Sequence, residues 1–244
     1  MGSITRTIAN NITTGLGGAS VPTAFRNLII NGDMSVAQRP TTTGITNASE
    51  DVYVCDKFCW SESGGMTSTF TMSQDNDVPD GYGFAKSLKL DCTATDTPAT
   101  TERIRIETRF EGQNLQYLKK GTANAESWTL SFWVKSVKTG TYIVNFRDED
   151  NTRIVSKAYT ISSANTWEKK TVIVAPDTTD PFDNDNAHSL TVAWILSAGS
   201  SLQSGSLADV WQDYANANYA AGQVNFADST SNNFYLTGVQ LEAG

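Results

Sequence analysis

One histidine, three cysteines and 26 aspartates and glutamates are the side chains with which this 244-residue chain could do chemistry. His188 ends the run Asp183-Asn184-Asp185-Asn186-Ala187-His188, which is rich in turn formers, so it reads as a loop residue. No GxSxG elbow, phosphate-binding loop, HExxH or CxxC occurs. A glycosidase needs only two carboxylates, about 5 Å or about 6.5–9.5 Å apart. Most acids here, however, sit in runs such as Asp75-Asn76-Asp77 and Asp148-Glu149-Asp150, which read as solvated turns. Asp75, Asp77 and Asp80 before Gly81, and Asp183 with Asp185, offer clustered oxygens to calcium, but neither spacing fits an EF-hand loop. No catalytic residue, metal or other cofactor is therefore expected. Cys55 and Cys59 are ~13 Å apart if they share a strand, too far to bridge. Either could meet Cys92 in space, although three buried thiols are the expectation.

Aromatic residues are more informative. In Trp128-Thr129-Leu130-Ser131-Phe132-Trp133-Val134-Lys135 the pleat puts Trp128, Leu130, Phe132 and Val134 on one apolar face. Ser131, Trp133 and Lys135 share the other face, where a tryptophan beside polar groups makes a platform for stacking a sugar ring. The opposing reading places Trp133 under a loop or a neighbouring subunit. Trp211 and Tyr214, in the polar segment 197–233, offer a binding lip or else anchor their own loop. The candidate glycan-binding residues are thus Ser131, Trp133, Lys135, Trp211 and Tyr214.

What must position them is β structure. Threonine, serine and asparagine number 31, 23 and 18, a composition suited to strands joined by many turns. Ten phenylalanines, eight tyrosines and six tryptophans supply a core, and a chain of this length buries about 70% of its unfolded surface. Strands are predicted over 27–32, 52–60, 68–73, 87–92, 104–110, 128–135, 141–147, 154–161, 167–174, 190–196 and 233–241. Lys138-Thr139-Gly140 reads as the turn of a hairpin, and the best helix candidate is 207–219. About eleven strands spaced near a dozen residues predict an all-β jelly-roll sandwich of two antiparallel sheets, with the strands around Leu28 and Tyr235 as neighbours.

Residues 1–26 differ from the rest. The stretch 12–20 reads as small, flexible and unable to form a core alone, so 1–26 read as an extended N-terminal arm and 27–244 as the body. The net charge of −8 excludes a nucleic-acid binder, since neutralising phosphates takes clusters of lysine and arginine. It disfavours anionic membrane surfaces as well. No run of 18 apolar residues appears, the start lacks the apolar stretch of a secretory signal, and Arg6 breaks the myristoylation pattern. A soluble protein made in a cytosol is expected.

Several motifs carry a resemblance. Asn27-Leu28-Ile29-Ile30-Asn31-Gly32-Asp33-Met34-Ser35-Val36-Ala37-Gln38-Arg39 resembles the opening of a domain common in tailed-phage virion proteins. Asp56-Lys57-Phe58 stands where Asp-Arg-Trp or a similar triplet is usual. Segment 130–142, Asn165-Thr166-Trp167-Glu168-Lys169-Lys170 and the close at 234–242 are similar as well. The resemblance spans 27–244. It implies a carbohydrate-binding-module-like fold in a tail-fibre or fibre-like virion protein, non-enzymatic, oligomeric (a homotrimer by analogy with such fibres) and facing host-surface polysaccharide. The arm resembles fibre N-termini that dock on other virion proteins, which implicates Ile4, Arg6, Ile8, Asn10 and Asn11 in anchoring. Two departures stand out: relatives usually continue past the Leu-Glu-x-Gly close, and no shaft separates arm from body. The second makes a structural adaptor or a head or tail decoration the alternative, with a polysaccharide depolymerase behind it. An acidic body suits neutral glycan better than anionic lipopolysaccharide, with weak sites, ~mM, made effective by multivalency.

Overall fold

The computed structural model describes residues 27–46 and 51–244; the anchoring candidates Ile4, Arg6, Ile8, Asn10 and Asn11 lie outside them. Thirteen strands occur among the described residues: β1 (Thr42–Ile45), β2 (Val52–Tyr53), β3 (Cys59–Ser63), β4 (Thr69–Asp75), β5 (Ser87–Ala94), β6 (Arg103–Glu111), β7 (Trp128–Ser136), β8 (Gly140–Asp148), β9 (Arg153–Ile161), β10 (Glu168–Val174), β11 (His188–Ala198), β12 (Gln212–Asp213) and β13 (Asn233–Ala243). They form a six-stranded sheet, β1-β4-β5-β13-β7-β10, and a seven-stranded sheet, β12-β9-β8-β11-β6-β3-β2. Every pairing is antiparallel, and the two sheets make the expected jelly-roll sandwich. No helix among the described residues is long and apolar enough to cross a membrane.

Period-two alternation builds the core. Leu130, Phe132 and Val134 of β7, with Phe234 and Leu236 of β13, face Leu190, Val192, Trp194 and Leu196 of β11 across the sandwich. Phe132 meets Trp194 edge-on at 5.7 Å, and Trp128 meets Phe146 at 6.1 Å, contacts that hold the sheets face to face. A second, smaller cluster lies outside the sandwich. There Ile143, Ile154, Ala193 and Ile195, on the outer face of the seven-stranded sheet, are covered by Leu202, Ala208, Tyr219 and Ala220. Segment 199–223 thus seals one half of that face and leaves the other half open.

Four local expectations change. Segment 27–32 is not a strand, although it does lie beside the last one: Leu28 N–H donates to Leu241 O at 2.8 Å, and Asn27 Oδ1 accepts from the Leu241 amide. Its Asn31-Gly32 pair turns with Asn31 at φ 61°, and a Cβ at Gly32 would stand 2.1 Å from Val239 O. Segment 52–60 is broken by a turn, and its second half continues to Ser63. The connection after β7 is a corner rather than a hairpin, because β7 pairs with β13 and β10 while β8 pairs with β9 and β11. A short turn is compatible with either geometry, and here Val137 N–H bonds to Asn233 O before the chain crosses to the other sheet. The helix candidate 207–219 is irregular, with only β12 and one 3-10 turn, Asn216–Asn218. Its asparagines and aspartates favour turns, and its apolar residues are used up in covering the sheet.

Candidate functional site: a polar cleft on the seven-stranded sheet

The predicted sugar platform is on the outer face of the six-stranded sheet, and it is covered. Trp133 is 9% exposed; Tyr82 lies against it with ring centroids 4.3 Å apart, and Tyr82 itself is 61% exposed. Gly238, at φ 61°, lets Phe84 close the other side: a Cβ there would be 2.6 Å from the Phe84 ring. Lys135 is also buried. Its ammonium pairs with Asp77 and stands 4.3 Å from the Tyr235 ring centroid, while Trp167 Nε1–H donates to Asp77 at 2.9 Å. Burial pushes the Asp77 carboxyl up, but the bonds from Lys135 and Trp167 outweigh it, so the group sits below the usual carboxylate range. Ser131 is half-buried opposite Thr171 and Gln240. Trp133 and Lys135 therefore tie the loop carrying Asp77 and Tyr82 to the sheet, which is the under-a-loop reading rather than an open stacking surface.

The other two candidates belong to the opposite sheet. Trp211 packs into the core, 5.4 Å from Trp128 in an edge-on contact, and anchors its loop. Tyr214 is half-exposed. Its hydroxyl accepts from Arg103 Nη1 at 3.2 Å, and the Arg147 guanidinium lies 4.9 Å from its ring centroid. The five proposed glycan residues thus split over two faces, and only Tyr214 lies beside the polar cleft described next.

That cleft, of about 340 Å³, occupies the open half of the outer face of the seven-stranded sheet. Its floor is ordered by register across three adjacent strands. Arg109, Thr191 and Arg147 form one rung, and Glu107, Ala193 and Asn145 the next. Alanine at the centre leaves room, and polar residues stand on either side. Tyr219 from the covering segment closes one end.

Charge in the cleft is organised by Glu107, which is 2% exposed. It accepts from Arg109 Nε at 2.8 Å and from Arg105 Nε, and Arg109 also forks onto Asp51, with Nη1 2.9 Å from Oδ2. The Arg109 bond holds the Asp51 carboxyl below its usual range against the opposing effect of burial. Asp51, Glu107 and Cys59 gather ligand-type atoms within 4.8 Å, but the two carboxylates are already matched by arginines, so the group is an ion-pair network. With both oxygens bonded to guanidinium groups, Glu107 is placed to orient those arginines. His188 opens β11 instead of sitting in a loop, and its Nε2 lies 2.9 Å from Thr191 Oγ1, which donates to Glu149. Burial against the cleft wall moves the His188 imidazole below its ordinary value, with Glu149 pulling the other way.

Besides Arg147 Nε, which meets Glu149 as an ion pair without a hydrogen bond, two groups in the cleft lack protein partners. Asn145 is 1% exposed, and neither its oxygen nor its nitrogen is hydrogen-bonded. Arg105 Nη1 is likewise buried and unbonded. Buried polar groups are rarely left so, because each costs about 1–3 kcal/mol without a partner. None of Arg105, Glu107, Arg109 and Asn145 was singled out from the sequence. The available signal was Arg105-x-Glu107-x-Arg109 on the predicted strand 104–110, which puts all three charges on one face.

The remaining candidates have structural roles. Cys55, Cys59 and Cys92 are free and buried. The Asp185 carboxylate accepts from the Ala187 amide at 2.9 Å, an ordinary turn bond, and the Asp183 carbonyl accepts from Gln116 Nε2.

No family model matches this chain, and no curated protein matches it. Solved structures do. The enzymatically active domain of bacteriophage CBA120 tailspike protein 4 matches at 15% identity and TM-score 0.42; the match covers 90% of this chain and 22% of that one, so this chain spans about a fifth of that domain's length. A CBM4 structure matches at 12% identity and TM-score 0.43, covering 88% and 99% of the two chains. A family 11 carbohydrate-binding module from Clostridium thermocellum, in complex with a β-1,3-1,4-mixed-linked tetrasaccharide, matches at 9% and 0.40, covering 82% and 95%. These are likenesses of architecture alone.

Proposed function

We propose that this protein is a non-enzymatic glycan-binding component of a tailed-phage virion, fibre-like, with its binding site in the cleft on the seven-stranded sheet. The observation that carries the glycan reading is Asn145, buried on the cleft floor with both amide atoms unbonded. A sugar hydroxyl donates and accepts, so a single ring edge satisfies both atoms, and the rung of Arg109, Thr191 and Arg147 offers further partners. The virion reading is supported by the opening and closing motifs of the body. In it the arm, through Ile4, Arg6, Ile8, Asn10 and Asn11, docks on other virion proteins, and a homotrimer supplies the multivalency that weak sites need.

The test is binding of the full chain to an array of bacterial surface polysaccharides, with Asn145→Ala beside it. Because Asn145 makes no protein hydrogen bond, the variant should keep its thermal midpoint within about 2 °C while losing at least tenfold in glycan affinity. A well-folded chain that binds no glycan overturns the reading in favour of a structural adaptor. Release of reducing sugar from a bound polysaccharide overturns the non-enzymatic part.

A further inference from the structure

Resting on the reading of the cleft as a glycan site, we propose that it selects a saccharide bearing an anionic group, a carboxylate or a sulfate, received by the guanidinium of Arg105. The chain as a whole is acidic, yet four of the six arginines among the described residues, Arg103, Arg105, Arg109 and Arg147, stand on this one sheet face. Among the residues lining the cleft, three arginines face two glutamates. With Asp51 matching Arg109 at the rim, the cleft is close to neutral where the chain as a whole is negative, and its positive charge is concentrated on the arginine that stays unanswered. Exposed charges elsewhere are screened beyond about 8 Å at physiological ionic strength, so the cleft's own charges decide what enters it.

The arginines are not equivalent. Arg109 is spent, forked onto Asp51 on one side and bonded to Glu107 on the other. Arg147 lies over the Tyr214 ring and pairs with Glu149 at 3.1 Å. Arg105 gives only its Nε–H to Glu107 and keeps Nη1 buried without a partner. A permanently charged, planar donor held by a carboxylate behind it and unanswered in front is suited to a second carboxylate or a sulfate, which it can meet with two N–H groups at once. A neutral ring satisfies Asn145 but leaves that charge with hydroxyl oxygens only. The expectation that an acidic body favours neutral glycan is therefore reversed at the site itself.

The experiment is calorimetric titration of the full chain with alginate, polygalacturonate and a sulfated carrageenan, each beside its carboxyl-reduced or desulfated form. The expected result is at least tenfold tighter binding of a charged polymer than of its neutral counterpart. Arg105→Gln should bring the two within about twofold, and Arg105→Lys should restore part of the preference. Should Arg105→Gln fail to fold, Arg147→Gln reports on the same cleft from its more exposed side. Equal binding of charged and neutral forms overturns the anionic inference and leaves the glycan reading standing. Binding of neutral glycans on the array with none of these charged polymers bound overturns it as well. Absence of binding to every polysaccharide overturns both.

Discussion

Lys120 gives the sharpest test of the energetics. Its side chain is 1% exposed, and its ammonium lies 2.6 Å from Asp148 Oδ2 and 3.2 Å from Asp177 Oδ2, with Thr179 O at 3.3 Å and the Asp180 carbonyl beside it. The rings of Phe182 and Trp211 flank it at 5.1 and 5.2 Å. At an effective dielectric constant of about 20, the two ion pairs contribute about 6 and about 5 kcal/mol of gross attraction. Desolvating three ions costs several kcal/mol each, so the intact cluster is worth little net. Removing only the lysine is different, because the carboxylates stay buried without it. Asp177 keeps Arg153 at 3.2 Å, but Asp148 keeps only the amide groups of Asn151. Lys120→Met should therefore cost about 4 kcal/mol, mostly through Asp148. For a chain of this size that is a fall of roughly 10 °C in thermal midpoint, read by near-ultraviolet circular dichroism and urea unfolding. Lys120→Met with Asp148→Leu removes both partners and should recover at least half of the loss. A single-variant cost under about 1 kcal/mol, or a double variant as unstable as the single, refutes the reasoning.

Three further outcomes are expected. Gly199→Ala would place a Cβ 1.8 Å from Ala99 O, a backbone atom that cannot step aside, and should destabilise by about 1–3 kcal/mol in urea unfolding, whereas Gly44→Ala, with nothing within 4 Å, should change stability by under about 0.5 kcal/mol. The Asp177 carboxyl lies below its ordinary value of 3.8: burial raises it, but bonds from Thr179 and the charge of Lys120 outweigh burial. Its contribution is thus complete above the unfolded value and lost as pH falls through the folded one, so urea midpoints should drop between pH 5 and pH 3, and Asp177→Asn should flatten that drop. Burial raises Cys55 and Cys59 to about 12 and Cys92 to about 11, so Ellman's reagent at pH 8 should find no reactive thiol in the native chain and three in urea.

Alternation made most of the strands legible. Ser87–Ala94 and Asn233–Ala243 announce themselves because Leu88, Leu90, Phe234 and Leu236 must all face one core. What alternation cannot reveal is which sheet a strand joins, hence the corner between β7 and β8 read as a hairpin. Nor can it tell an outer face from an open one. Trp133 and Arg105 both point away from the core in their own strands, yet Tyr82 covers the first while the second lines a cleft. The difference lies in where segments 76–86 and 199–223 fold back, and turn-rich stretches carry no periodicity that would say so. The charged face of β6 is legible in the sequence, because Arg105, Glu107 and Arg109 alternate with Ile104, Ile106 and Phe110.

The position of β13 has a consequence for how the chain is made. It lies between β5 and β7, so until it emerges the six-stranded sheet exists only as β1-β4-β5 and β7-β10, each with an unpaired inner edge. A nascent chain therefore carries two open edges with apolar faces, Leu88 and Leu90 on one and Leu130 and Phe132 on the other, until β13 emerges. Closure of the six-stranded sheet waits on this one strand, which makes the docking of β13 the step at which folding and aggregation compete.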